Sequence, residues 1–351
     1  MKIGITYDLK SDRPVQPGEP VDMNAELDSE ETVNHVAHAF EQNGHTVKKI
    51  GNVKNLLRQI DQLDVDIVFN MAEGHFGRNR ESQVPVILEM YGIPFIGADA
   101  LTLGITLDKV VAKKCFIADR IATPRYFQAY DSRNLEKLNH LGFPLIVKTT
   151  FEGTSKGLTD QSRVDDYAGL KRQVDLIVKA YHQPALVEEF IRGTEFTVPV
   201  LGNYSPQPMP IAQVAIDGKE ELGDKFFTFS RVVSDHSVQY IWPAHISPEL
   251  TREIQDMAVK AYLSVGCRDF GRVDFRVDEK GNPYVLEINP LPSLAKKDVF
   301  NLFPKAMGVT FEEVMQRILN FALERQGIKT GKNIQTQTVG NRRVSSVAVS
   351  F

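Results

Sequence analysis

Gly271-Arg272-Val273-Asp274-Phe275, a turn at Asp278–Pro283, and Tyr284-Val285-Leu286-Glu287-Ile288-Asn289-Pro290 read as the two arms of a β-hairpin. Side chains on a strand alternate faces with period two. Arg272 and Asp274 therefore share one face, with Val273 and Phe275 on the other. Glu287 and Asn289 share a face of the second arm, with Leu286 and Ile288 opposite. Pairing the arms gathers Asp274, Glu287 and Asn289 beside Arg272. Two carboxylates and an amide oxygen make a hard oxygen site, suited to Mg²⁺ held jointly with substrate phosphates. The arginine adds a fixed positive fork for an anionic transition state. A surface hairpin with a structural salt bridge has the same spacing. The apolar Leu286 and Ile288 argue against free solvation.

Outward from the hairpin, residues 1–100 alternate strand and helix patterns. Lys2–Tyr7, Thr46–Ile50, Asp66–Asn70 and Pro94–Gly97 are predicted strands; Asp28–Asn43, Val53–Gln62 and Val84–Tyr91 are predicted helices. Such alternation implies a parallel sheet with helices on its faces. The polar stretch from Lys10 to Asp28 is long for a connection in a compact domain and reads as a lid over a site. After Asp108 a helix continues to Phe116. Leu145–Lys148, Ala185–Phe190 and Glu195–Leu201 read as strands and Asp165–Lys179 as a helix. From Pro206 the pattern turns to antiparallel strands, then a helix at Pro248–Val265, the hairpin, and a last helix at Phe311–Glu324. The class is α/β and α+β. The expected division is an N-terminal α/β unit (1–100), two α+β lobes (101–205 and 206–328) and a tail (329–351).

A chain of 351 residues is long for a single core, and 42% hydrophobic content can supply more than one. The net charge of −4 gives no reason to propose nucleic acid or an anionic membrane as partner. Cys115 and Cys267 are the only cysteines, which excludes a disulfide framework. No apolar run is long enough to span a bilayer and no signal peptide is evident, so a cytoplasmic protein is expected.

Lys148 ends an apolar strand, where a lysine either snorkels or meets an anion. The following Glu152-Gly153-Thr154-Ser155-Lys156-Gly157 offers backbone N–H groups to phosphate oxygens. It is not a Walker A motif, and no G-x-G-x-x-G follows the first strand. Lys109 follows Asp108, a plausible N-cap; it either meets a phosphate or lies solvated beside Lys113 and Lys114. Glu188 and Glu189 end one strand and Glu195 opens the next, placed for nucleotide hydroxyls and amines or as edge charges.

In their order these segments resemble the ATP-grasp superfamily, and within it the D-alanine–D-alanine ligases. Gly92–Gly97, Thr106–Lys109, Ile146–Lys148 with Glu152–Gly157, Val187–Thr197, Cys267–Phe275 and Leu286–Pro290 carry the similarity. The resemblance implies ATP gripped between two lobes. Lys109 and Lys148 would touch its phosphates, with Lys225 a looser match for another contact. Thr154 and Ser155 would cover the phosphates, with Ser155 beside Arg272 at the catalytic centre. Glu188 would face the adenine amine, backbone near Glu189 and Ile191 the ring, and Glu195 the ribose. Asp274, Glu287 and Asn289 would hold two Mg²⁺ (or Mn²⁺) ions, and Arg272 would stabilise a tetrahedral intermediate. The implied reaction joins a small carboxylate to an amine of the amino-acid or peptide class through an acylphosphate. Relatives of this kind are commonly homodimers.

The substrate half departs from that pattern. Glu73-Gly74-His75 stands where the family has His-Gly, followed by Arg78, Arg80 and Glu81. The family's amine-binding glutamate has no secure counterpart, with Glu26 and Glu31 as candidates. Ser293 replaces a glycine, and Lys296 and Lys297 bring charge where a hydroxyl is expected. These changes point away from D-alanine as substrate. An authentic D-alanine–D-alanine ligase with rearranged loops, an ATP-binding regulator without ligase chemistry, and a carboxylase are the other readings.

Overall fold

The computed structural model describes residues 1–233 and 237–328; the expected tail, 329–351, lies outside the described residues. Three sheets organise the chain. The first is parallel, ordered β2-β1-β3-β4, from β1 (Lys2–Thr6), β2 (Thr46–Gly51), β3 (Ile67–Asn70) and β4 (Phe95–Ile96). The second is antiparallel, ordered β5-β8-β6-β7, from β5 (Tyr126–Ala129), β6 (Leu145–Thr149), β7 (Arg163–Val164) and β8 (Ala185–Glu189). The third runs β12-β11-β9-β13-β14, with β10 beside β9. Its strands are β9 (Gly193–Leu201), β10 (Gln207–Pro208), β11 (Ala212–Ile216), β12 (Val238–Ile241), β13 (Phe270–Asp278) and β14 (Pro283–Asn289). Because β9 pairs along its whole length with β13, the third sheet begins inside the segment 101–205 that sequence reads as one lobe.

Helices cover these sheets: α1 (Glu30–Gln42), α2 (Val53–Gln59), α3 (Gln83–Met90), α4 (Ala100–Leu107), α5 (Lys109–Ala118), α6 (Leu135–Leu138), α7 (Tyr167–Tyr181), α8 (Phe229–Val233), α9 (Pro248–Ser264), α10 (Val299–Ala306) and α11 (Phe311–Arg325). Side-chain caps fix where several start. Ser29 accepts from Thr32 N–H, Asp108 from Val110 and Val111 N–H, and Thr310 forms a reciprocal box with Glu313. The buried stripe of α1, including Val33, Val36, Ala37 and Phe40, packs on the first sheet as its spacing requires. Phe300 and Phe303 of α10 and Val314, Ile318 and Leu319 of α11 join that same core, so the C-terminal helices close on the N-terminal unit. Ala112 and Phe116 of α5 pack with α9 on the third sheet.

Asp108 both ends α4 and caps α5. Sequence places only the second of these helices, and it does not distinguish β5 or α10. A bulge in the β13–β14 pairing corrects another expectation. Asp274 pairs with Glu287 and Phe275 with Val285, which leaves Leu286 extra. Val285 and Ile288 pack in the core while Leu286 lines the central cavity.

Candidate active site

The hairpin forms the floor of a cavity of about 790 Å³. Its register sets Arg272 opposite Asn289 and Asp274 opposite Glu287. Arg272 grips Asp274 with two prongs, Nε to Oδ1 at 2.9 Å and Nη2 to Oδ2 at 2.8 Å. Asn289 Nδ2 donates to Asp274 Oδ2 at 3.0 Å, and Thr197 Oγ1 donates to Oδ1 at 2.5 Å. The amide oxygen of Asn289 is thereby left free of that contact. Lys109 Nζ stands 3.5 Å from Glu287 Oε2 and contacts the Glu152 carbonyl. The acids predicted to hold metal are thus neutralised by the arginine and lysine predicted to hold anions.

The second sheet supplies the facing wall. Glu188 lies between Lys113 (2.6 Å) and Lys148 (2.7 Å), and its side chain is only 1% exposed. Burial pushes its carboxyl up, but the two ammonium groups overcome this and hold it down at about 2. Glu188 is therefore already paired where the resemblance expected it to face an adenine amine. Lys113, read as a neighbour in a solvated row, is buried; it also donates to Thr123 Oγ1 at 2.6 Å. Its spacing of four from Lys109, one helical turn, is the signal that could have found it. The Glu189 side chain turns outward to Arg125, while Ile191 lines the cavity.

Glu195 pairs with Arg276 at 2.5 Å, a residue that sequence reading passed over. Period two from Arg272 and Asp274 puts Arg276 on the same face, opposite Glu195 in the β13–β9 register. Arg276 also donates to the carbonyls of Gly223 (2.8 Å) and Lys225 (2.7 Å), pinning that loop. Burial raises the Glu195 carboxyl, and Arg276 opposes it. Lys225 itself is a correction: its ammonium pairs with Asp217 at 2.7 Å, outside the cavity lining. The loop's carbonyls are held inward and its side chain is released outward.

Thr154 and Ser155 sit in the left-handed region, at φ 49° and 53°, and both line the cavity. The 10–28 segment docks on this loop. Asp22 accepts from Gly157 N–H at 2.7 Å and from the Tyr181 hydroxyl at 2.9 Å. Glu26 accepts from Gly153 N–H and from Arg80, at 2.8 and 2.9 Å, with Lys156 at 3.3 Å. Arg80 reaches the Phe151 carbonyl and Glu152 as well. It is committed to holding the 10–28 segment and lies outside the main cavity lining, where a substrate role was expected. Arg78 pairs with Asp108 and stacks over Phe151, and His75 pairs with Asp8 at 3.0 Å; neither lines the main cavity. Glu73, Ser293, Lys296 and Lys297 do line it. Ser293 donates to Asp298, and Lys296 pairs with Glu31 at 3.0 Å.

The family described as D-ala D-ala ligase C-terminus matches residues 120–320, which span β5 through α11 and most of the cavity floor. The chain belongs to the D-alanine–D-alanine ligase family. The D-alanine–D-alanine ligase of Carboxydothermus hydrogenoformans is 30% identical over 84% of this chain and 93% of that one. Protein y4sG of Sinorhizobium fredii is 32% identical over 83% of this chain and 87% of that one. A crystal structure of D-alanine–D-alanine ligase from Bacillus anthracis complexed with ATP superposes with a TM-score of 0.72 at 22% identity. It covers 93% of this chain and 99% of that one, a likeness of fold. This family member has the ATP-grasp fold and is an ATP-dependent ligase forming carbon–nitrogen bonds. No helix among the described residues is long and apolar enough to cross a membrane.

Proposed function

We propose that this ligase joins a carboxylate other than D-alanine to an amine, through an acylphosphate, in the cavity between the second and third sheets. The observation that carries the reading is the convergence of Lys109, Lys148, Arg272, Asp274, Glu287 and Asn289 on one cavity. Lys109 and Lys148 neutralise the nucleotide phosphates, and the Thr154–Ser155 backbone covers them. Ile191 packs on the base, with Glu188 and Glu195 at its polar edge and the ribose. A substrate carboxylate oxygen attacks the terminal phosphorus, and ADP departs. The amine nitrogen then attacks the acyl carbon; phosphate leaves and the nitrogen loses a proton. Arg272, held by Asp274, faces the negative charge of the tetrahedral intermediate. Positioning and charge neutralisation account for such a site without a protein nucleophile.

Asp274, Glu287 and the Asn289 amide oxygen are a hard-oxygen donor set that fits Mg²⁺ or Mn²⁺. Bound there with nucleotide, the metal supplies charge neutralisation to the transferring phosphoryl group. The substrate end supports the departure from D-alanine. Asp298 heads α10 with its carboxylate bonded by Ser293, and burial raises its carboxyl. An aspartate already at that helix start disfavours a second carboxylate there. The test is product analysis by mass spectrometry after incubating ATP, Mg²⁺ and pairs of acids and amines. D-alanyl-D-alanine as the preferred product would overturn the rewritten site, and failure of every pair to release ADP would overturn the ligase assignment.

A further inference from the structure

Glu73 and Glu81 are two cavity-lining carboxylates left without a hydrogen bond or ion pair among the described residues. With Glu26 they bring carboxylate oxygens within 4.8 Å of one another. Glu26 is satisfied by Arg80, Lys156 and the Gly153 N–H, so it is not free for a ligand. Glu81 is only 7% exposed. The burial of an unpaired carboxylate is costly unless something positive arrives.

An independent observation points into the same cavity. Asn70, at the C-terminal end of β3, is 2% exposed, and its Nδ2 has no partner among the described residues. Its orientation follows from its oxygen, which accepts from Thr6 Oγ1 at 2.8 Å and from Ala72 N–H at 3.2 Å. The amide nitrogen is therefore the end left for a ligand oxygen. The backbone is built to bring these groups together. Gly74 has φ 70°, and a Cβ there would lie 2.6 Å from the Arg80 carbonyl oxygen. Only glycine lets the strand end carrying Glu73 fold against the segment carrying Glu81.

We propose that Glu73 and Glu81 receive the cationic side-chain nitrogen of a basic amino-acid substrate, an amine or guanidine, with Asn70 Nδ2 donating to an oxygen of the same molecule. The word substrate here rests on the ligase reading above. A side-chain cation fits better than an α-ammonium, which would carry its own carboxylate into a nest of Glu26, Glu73, Glu81 and Glu152. A divalent metal fits less well, because Arg80 and Lys156 already stand on Glu26 and Asn70 presents a donor. Burial raises both carboxyls, Glu81 to about 7 with Glu26 and Glu152 adding repulsion, and Glu73 well above the usual range with Glu81 and Glu26 adding it. A bound cation would relieve that repulsion.

The test is calorimetric binding to the full chain with a non-hydrolysable ATP analogue. Arginine is compared with citrulline and ornithine with norvaline, in both stereochemical forms. The basic member of at least one pair is expected to bind at least about 10-fold tighter, and Glu73→Gln or Glu81→Gln to remove the difference, as for loss of a charged hydrogen bond. Nucleotide-analogue binding and thermal stability should not fall in either variant, since each removes a like charge from a crowded pair. Equal binding of basic and neutral members, or a preference that survives both substitutions, overturns the proposal. So does Mn²⁺ binding without nucleotide that is lost in Glu73→Gln, which would make the pair a metal site. Tight basic-acid binding without ADP release leaves this site standing and removes the ligase reading; ADP release indifferent to side-chain charge does the reverse.

Discussion

Replacing Asp22 by alanine should release the 10–28 segment from the 152–157 loop that lines the cavity. Asp22 is 4% exposed, and its carboxylate accepts from the Gly157 N–H at 2.7 Å and the Tyr181 hydroxyl at 2.9 and 3.0 Å. A hydrogen bond to a charged acceptor contributes about 1.5–3 kcal/mol. The buried Gly157 N–H loses its bond outright. The Tyr181 hydroxyl, on a half-buried residue, regains water and loses about 1 kcal/mol at most. The sum, about 2–4 kcal/mol, corresponds to a roughly 30- to 1,000-fold larger open population while opening stays rare. Amide hydrogen exchange at Gly157 reads that population directly. Its protection should fall by this factor, while amides of β14 keep theirs. Tyr181→Phe, which spares the Gly157 bond, should lower the protection by no more than about 5-fold. Unchanged protection at Gly157 in Asp22→Ala, or an equal loss in β14, would refute the latch.

Glu188 gives a pH signature. Its carboxyl is lowered from 4.5 to about 2, so its stabilisation is complete above pH 4.5 and is lost as the pH falls through 2. The shift corresponds to about 3 kcal/mol; urea unfolding should show Glu188→Gln less stable by about that much near neutrality and nearly equal to wild type at about pH 2. Arg276→Ala leaves Glu195 buried and two carbonyls without donors, and should lower the unfolding free energy by about 3–5 kcal/mol. Denaturant titration of Arg276→Lys should recover only part, since a lysine lacks the fork. Arg272→Ala should cut acid-dependent ADP release by about 10²–10³-fold while leaving nucleotide binding nearly intact, as equilibrium dialysis would show.

The alternation of strands and helices in residues 1–100 was legible because each apolar stripe has a clear period, as in α1. The hairpin was legible because Arg272, Asp274, Glu287 and Asn289 keep period two on paired arms. The bulge at Leu286 was not, since one extra residue leaves no compositional mark. Paired charges were the main loss. Lys113, Arg276 and Arg80 look like surface residues in a string of letters, yet each is paired in the interior with a partner 54 to 81 positions away: Arg80 with Glu26, Lys113 with Glu188 and Arg276 with Glu195. Lys225 failed for the opposite reason. Its segment was recognised, but the structure uses the backbone there and sends the ammonium to Asp217. The 10–28 segment was readable as an overlong connection. Its latch, Asp22 on Gly157, spans 135 positions and needs the fold to appear.

The most direct test of the central claim is ADP and phosphate release with Mg²⁺ across a matrix of carboxylic acids and amines, with wild type beside Arg272→Ala and Glu287→Gln. The expected result is release that requires one acid and one amine, yields their amide by mass, and collapses in both variants. ATP that binds without any acid-dependent release across the matrix, or release that persists in both variants, would contradict it.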